Sequence, residues 1–117
     1  MRDDRERLRD ILEAIGRIEK YASRGREAFQ RDELIQNWMV RHLQIVGEAA
    51  RALSSDFQSR YARIPWADII GMRHVLVHEY FDVDLDIVWR AVSVDLPELK
   101  RELEIILKNE VGRMRGE

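Results

Sequence analysis

Apolar residues near the start of the chain recur three and four positions apart. They are Leu8, Ile11, Leu12, Ile15 and Ile18. This spacing is typical of one face of an α-helix and predicts a first helix over residues 3–22. Ser23 to Arg26, which includes Gly25, is predicted to form a turn.

A second, wider apolar stripe predicts one long helix from Glu27 to Leu53. Its members are Leu34, Ile35, Trp38, Leu43, Ile45, Val46, Ala49, Ala50 and Leu53. A helix that is apolar over more than one face must contact two neighbours, or one neighbour and a second subunit. This stripe is therefore the candidate for a dimer interface.

The polar segment from Ser54 to Ile64 is predicted to hold a short helix around Phe57 to Tyr61. Pro65 suits the first turn of a further helix, where a missing N–H costs nothing. That helix carries Trp66, Ile69, Ile70, Met72, Val75 and Leu76.

A break is predicted after Tyr80, at Phe81 to Asp84. The last helix begins near Asp84, and Pro97 should kink or divide it. Its apolar residues are Leu85, Val88, Trp89, Val92, Leu96, Leu99, Leu103, Ile106 and Leu107.

The fold class predicted from these patterns is all-α, an antiparallel bundle of four to five helices. Only two prolines and six glycines interrupt the chain, and no segment alternates like a strand. A length of 117 residues favours a single domain over residues 1–117. Three tryptophans fall on apolar stripes and are expected in the core, namely Trp38, Trp66 and Trp89.

Composition narrows the class of protein. The chain has no cysteine, which excludes disulfides, zinc–thiolate sites and cysteine nucleophiles. Its charged N-terminus is no signal peptide, and no apolar run approaches the ~20 residues that span a bilayer. We therefore expect a cytoplasmic protein with no membrane contact.

Charge is unevenly distributed. The net charge is −2, so the protein does not attract nucleic acid by bulk charge. Seven arginines and five acids between Ala22 and Arg63 give +2, whereas eight acids and four bases between Asp82 and Glu110 give −4. The sequence allows a local basic surface, although an ordinary solvated, salt-bridged surface fits the same residues.

The candidate chemistry is concentrated between residues 73 and 80. Arg73 can bind a phosphate through two parallel hydrogen bonds. His78 can exchange a proton near neutral pH, with His74 as a possible assistant. Tyr80 adds a hydroxyl that can donate, accept or be modified.

Two kinds of chemistry compete for these side chains. His74 and His78 share a helical face and could bind zinc, but the glutamate of an HExxH motif is missing, and no metal site is predicted. A third ligand would have to be His42, Glu48, Glu79 or Asp82. The alternative is RNA cleavage without a metal, with His78 transferring protons and Arg73 stabilising charge on phosphorus.

Helix geometry limits how Arg73 and His78 can act on one substrate. On a continuous helix Arg73 and His78 would project ~140° apart, so they converge only if the helix ends between them or a second chain completes the site. A two-fold dimer would place two copies across one cleft. A structural interpretation remains open, in which Arg73 pairs with Glu79 or Asp82 and His78 only packs.

The ordered motifs of the chain are similar to one known family. Arg73-x4-His78-x-Tyr80 resembles the R-x4-H-x-Y signature of HepT-like proteins in the HEPN superfamily. Further matching blocks extend the resemblance over roughly residues 35–107. They are Ile45 to Ala50, Ile64 to Trp66, Ile70 to Arg73, Val83 to Asp84, Ile87 to Trp89 and Asp95 to Leu99.

The resemblance implies an all-helical homodimer that acts as an RNA-cleaving toxin without a metal or other cofactor. It also implies an antitoxin partner, a nucleotidyltransferase of the MntA type that attaches AMP to Tyr80. His74 stands where many relatives have asparagine, and its imidazole can also donate a hydrogen bond. Two alternatives remain: a non-catalytic module that binds a nucleotide or docks a nucleotidyltransferase, and a structural helical dimer.

Overall fold

The structure is a computed structural model that describes residues 3–71 and 84–114. All regular secondary structure in these two ranges is helical, which confirms the predicted all-α class. The helices are α1 (Asp4–Ala22), α2 (Arg26–Arg31), α3 (Glu33–Ala52), α4 (Ser55–Arg60), α5 (helical at 66–71), α6 (Leu85–Arg90) and α7 (Leu96–Met114), with a π-helical segment (Ala91–Asp95) between the last two.

The first helix and the turn after it confirm the prediction. The side chain of Asp3 accepts a hydrogen bond from the amide of Glu6 and so caps α1, which satisfies one of the free N–H groups at a helix start. Gly25 has a φ of 91°, a conformation that glycine adopts without steric cost. The buried face of α1 consists of Leu8, Ile11, Ala14, Ile15 and Ile18.

The predicted single helix from Glu27 to Leu53 is wrong, because Asp32 divides it into α2 and α3. Asp32 has an extended backbone (φ −114°, ψ 106°), and its side chain accepts a hydrogen bond of 2.9 Å from the amide of Leu34. Aspartate is a favoured N-cap because its carboxylate replaces a missing backbone acceptor. Gln36 supports the corner by donating from its side-chain amide to the carbonyl of Phe29 at 3.0 Å.

Helices α1 and α3 pack antiparallel. Asp4 at the start of α1 bonds Ser54 just after α3, and the indole N–H of Trp38 donates to the carbonyl of Arg17 at 2.8 Å. Residue numbers that rise along α1 therefore meet numbers that fall along α3. This confirms the antiparallel arrangement expected for the first two long helices.

The C-terminal helix begins where predicted and changes its pitch near Pro97. Asp84 caps α6 by accepting bonds from the amides of Asp86 and Ile87. The backbone remains helical through Ala91–Asp95 but with π geometry, and Pro97 lies at the start of α7. Since proline lacks an N–H and crowds the carbonyl four residues earlier, a wider π turn accommodates it. The predicted interruption is thus a change of pitch within a continuous helical stretch.

The core is formed by the facing sides of α1, α3 and α7 together with residues of the short helices. Phe29, Phe57, Leu103 and Val88 are among its most deeply buried side chains. Trp66 is buried, whereas Trp38 and Trp89 are half-buried at the core edge. Core placement is therefore confirmed for Trp66 and only partly for the other two. Within the described residues, no helix combines the length and the apolar character needed to cross a membrane.

The wide stripe on α3 is covered mainly by the chain itself. Helices α1, α2 and α6 all pack against α3, and most stripe residues are buried. Leu34 is the exception, with 79% of its surface exposed. Intrachain neighbours therefore account for most of the surface that the sequence offered as a dimer interface.

Candidate functional site

The predicted site residues lie outside the described residues. Arg73, His74, His78 and Tyr80 all fall between 71 and 84, as do Glu79 and Asp82, which were possible metal ligands. The structure does describe the chain that leads into this segment and the chain that leaves it. Both ends are held by specific contacts.

The approach to the segment is through α5, which is anchored at its first turn. The amide of Ile69 donates to the carbonyl of Pro65 at 3.1 Å. The amide of Trp66 donates to the carbonyl of Ile64 at 2.8 Å. Pro65 precedes the helical residues 66–71, as its fixed φ and missing N–H predict. Gly71 is the last residue of the first described range, and Arg73 follows it by two positions.

A carboxylate on α7 fixes the turn that precedes α5. One oxygen of Glu110 accepts bonds from the Tyr61 hydroxyl at 2.8 Å and from the Arg60 guanidinium at 2.5 Å. The carbonyl of Tyr61 in turn accepts the indole N–H of Trp66 at 3.1 Å and the amide of Ile64 at 3.1 Å. Burial, and secondarily the Glu110 carboxylate, raises the pKa of the Tyr61 hydroxyl above its ordinary value. Tyr61 therefore stays protonated and able to donate.

The exit from the segment is held by the start of α6. Asp84 caps this helix, and the next acid, Asp86, accepts a hydrogen bond of 2.8 Å from Arg26 on α2. Both partners of this ion pair are largely exposed, so it contributes little stability on its own. The ring of Phe29 on α2 also packs against that of Trp89 on α6, with ring centroids 5.4 Å apart.

A first groove of about 360 Å³ lies between α1 and α3. Its notable member is His42, which is 6% exposed. Nδ1 of His42 lies 2.8 Å from the carbonyl of Trp38, and the two rings stack with centroids 4.3 Å apart. Because a carbonyl oxygen can only accept, this hydrogen bond requires the proton on Nδ1. The remaining lining residues are Arg7, Asp10, Glu13, Ala14, Arg17, Ile45, Glu48 and Ala49.

Among the described residues, this groove presents no set of metal ligands. His42 and Glu48, the two possible third ligands that the structure describes, both line it. No group of three or more histidine, aspartate or glutamate side chains within residues 3–71 and 84–114 is placed to hold a metal ion. The position of His74 and His78 relative to them falls outside the described ranges.

A second groove, of about 350 Å³, lies between α3, α5 and the start of α7. We call it the acidic groove. Its floor is apolar and includes Leu43, Val46 and Leu99. Four carboxylates and one guanidinium line it, those of Asp68, Asp95, Glu98, Glu102 and Arg63. This charge balance repels a phosphodiester.

Sequence reasoning missed the role of Glu110. It is separated by 49 positions from Tyr61, and the pattern of α7 marks it only as a polar position. The one signal that the chain offered was an acid at a late position of an amphipathic helix, which ordinarily faces solvent. Its side chain is only 13% exposed.

Comparison with known proteins identifies relatives over nearly the whole chain. The profile of the family described as Ribonuclease HepT-like matches residues 11–106. A Methanocaldococcus jannaschii protein named "Putative RNase" is 33% identical over 90% of this chain and 97% of its own.

Two further relatives come from other organisms. A "Probable ribonuclease HepT" of Thermococcus cleftensis is 37% identical over 92% of this chain and 98% of its own. A Caldanaerobacter subterraneus protein, also named "Putative RNase", is 37% identical over 80% of this chain and 83% of its own. No solved structure matches the chain.

Proposed function

The chain belongs to the HepT-like ribonuclease family, and on this premise we propose that it is a metal-independent endoribonuclease with its active site at residues 73–80. The observation that carries the proposal is the spacing Arg73-x4-His78-x-Tyr80, which lies within the matched residues 11–106. Names of relatives support ribonuclease activity at the level of the family.

The proposed reaction is transesterification within the RNA. The 2′-hydroxyl attacks the adjacent phosphorus after a base removes its proton, and an acid protonates the 5′-oxygen as its bond to phosphorus breaks. His78 acts as the general acid or base. Arg73 holds the phosphate and stabilises its growing negative charge, and His74 assists by donating a hydrogen bond or exchanging a proton.

A homodimer completes the site in this proposal. One chain supplies few proton-transfer groups, and a two-fold axis places two motifs across one cleft. The acidic groove supports one further point, namely that RNA contacts a different face. A single domain spanning residues 1–117 is the unit that dimerises.

We further propose that the protein is a toxin whose partner is a nucleotidyltransferase antitoxin of the MntA type. The partner transfers AMP from ATP to the Tyr80 hydroxyl and releases pyrophosphate. A negatively charged adenylyl group beside Arg73 would occupy the phosphate site and repel RNA. The resemblance of the motif, with Tyr80 two residues after His78, supports this regulation.

Product analysis tests the reaction, and mass analysis tests the regulation. Cleavage by this route leaves a 2′,3′-cyclic phosphate on the product. Arg73→Ala should abolish formation of this product. The control Arg41→Ala, at an exposed position of α3, should not. Binding of RNA without cleavage by unmodified protein would instead favour the non-catalytic module. Incubation with the co-purified nucleotidyltransferase and ATP should add one AMP to the protein and none to Tyr80→Phe; AMP on that variant would refute the assignment.

A further inference from the structure

Glu110 lies far from residues 73–80 in sequence but is connected to the helix that leads into them. It sits four residues before the end of α7, and its side chain is 13% exposed. The same oxygen accepts from both Tyr61 and Arg60. A carboxylate oxygen that accepts one hydrogen bond from a guanidinium and one from a hydroxyl is held in a single position.

The connection continues from Tyr61 to α5 through the backbone. The Tyr61 carbonyl accepts the indole N–H of Trp66, and Trp66 is the first helical residue of α5. The buried ring of Phe57 packs against the rings of Tyr61 and Trp66. Its centroid lies 4.9 Å from that of Tyr61 and 6.1 Å from that of Trp66. The Tyr61 backbone and ring are therefore both linked by direct contacts to the first turn of α5.

We propose that Glu110 and Tyr61 are positioning residues for the nuclease reaction. They fix the start of α5 against α7, and so fix the direction in which the chain enters the segment with Arg73 and His78. This inference rests on the proposed function. Productive geometry at a reacting centre is demanding, since a 1 Å misplacement can reduce the rate about 10²-fold.

Substitution of Glu110 by glutamine tests this role. Glutamine preserves the side-chain length and one acceptor oxygen but removes the charge that holds Arg60 and Tyr61 together. We expect Glu110→Gln to lower kcat for RNA cleavage about tenfold while KM changes less than twofold, because transition-state alignment rather than RNA binding is lost. Tyr61→Phe should reproduce the effect, and the double variant should be no worse than either alone.

Glu19→Gln is the matched control. It also removes one carboxylate from an ion pair that joins α7 to another helix, the 2.9 Å contact between Glu19 and Lys100, but that helix is α1 and not the turn before α5. Its kcat should equal that of the parent. Equal losses in both glutamine variants, or a loss in Glu110→Gln that matches only its unfolded fraction, would overturn the proposal.

The indole N–H resonance of Trp66 separates this inference from the proposed function. In ¹⁵N-labelled protein, Glu110→Gln should shift that resonance and leave those of Trp38 and Trp89 in place. If the parent cleaves no RNA, the proposed function fails, and the Trp66 shift still decides whether Glu110 controls the start of α5. An unchanged Trp66 resonance would overturn the inference whether or not the parent is active.

Discussion

Asp4 and Ser54 form a two-point contact that joins the start of α1 to the start of α4. One carboxylate oxygen of Asp4 accepts from the Ser54 amide at 2.8 Å, and the other accepts from its hydroxyl at 2.7 Å. Ser54 also caps α4 by accepting the amide of Phe57. The N-terminal turn of α1 thereby orients the connection that leads towards α5.

Removal of this contact should destabilise the protein. Asp4→Ala removes the acceptor of two Ser54 donors, and because Ser54 is exposed and water can replace that acceptor, we expect a loss of about 0.5–1.5 kcal/mol in the free energy of unfolding. Asp4→Asn keeps one acceptor oxygen and should lose less. Urea denaturation measures both changes, and an Asp4→Ala variant as stable as the parent would contradict the role given to this contact.

The raised pKa of Tyr61 predicts a pH dependence at the alkaline end. The hydroxyl is disfavoured as an anion because it is partly buried and bonded to Glu110. A hydroxyl whose pKa is higher in the folded than in the unfolded state stabilises the fold at any pH below its unfolded-state pKa. That stabilisation is lost as the pH rises through its folded-state pKa. When the pH is raised from about 9 to about 11, the Tyr61→Phe variant should therefore lose less stability than the parent.

Urea denaturation at both pH values provides the comparison for Tyr61. Lysine side chains also titrate in this range, and the pKa of Lys100 is itself raised by its hydrogen bond to Glu19. The difference between variant and parent isolates the contribution of Tyr61 because Lys100 is common to both. Identical losses would show that Tyr61 does not titrate differently in the folded state.

Two leucines provide a direct test of the helical packing. Leu103 is fully buried on α7, whereas Leu34 is 79% exposed at the start of α3. Leu103→Ala should cost about 2–5 kcal/mol because it leaves a cavity in the core, and Leu34→Ala should change stability by less than about 0.5 kcal/mol. Similar losses in thermal or urea unfolding would contradict the placement of α7.

Sequence periodicity predicted the helices whose apolar spacing is regular and whose caps are local. The starts of α1 and α6 were predicted in this way, and at α6 the capping residue Asp84 directly precedes the first apolar residue, Leu85. Asp32 was missed because the second helix was predicted to begin at Glu27, although its apolar stripe begins only after Asp32, at Leu34. An aspartate becomes a cap only where the backbone turns, and here the turn is supported by the hydrogen bond from Gln36 to Phe29.

In the candidate site, too, local features could be predicted from the sequence and long-range contacts could not. The motif with Arg73, His78 and Tyr80 is visible in sequence because its residues are close together along the chain. The connection between Glu110 and Tyr61 joins positions 49 residues apart, so no local pattern marks it. Packing decides which polar residues of α7 face the α4–α5 turn and which face water.

Cleavage of RNA by the purified protein in excess EDTA, beside His78→Ala, tests the central claim most directly. Intact mass first establishes that Tyr80 carries no AMP, and circular dichroism establishes that the variant is folded. The proposed mechanism predicts cleavage by the parent and none by His78→Ala, since the general acid or base is lost. Equal cleavage by both proteins, or cleavage that stops when EDTA is added to the parent, would contradict a metal-independent site centred on His78.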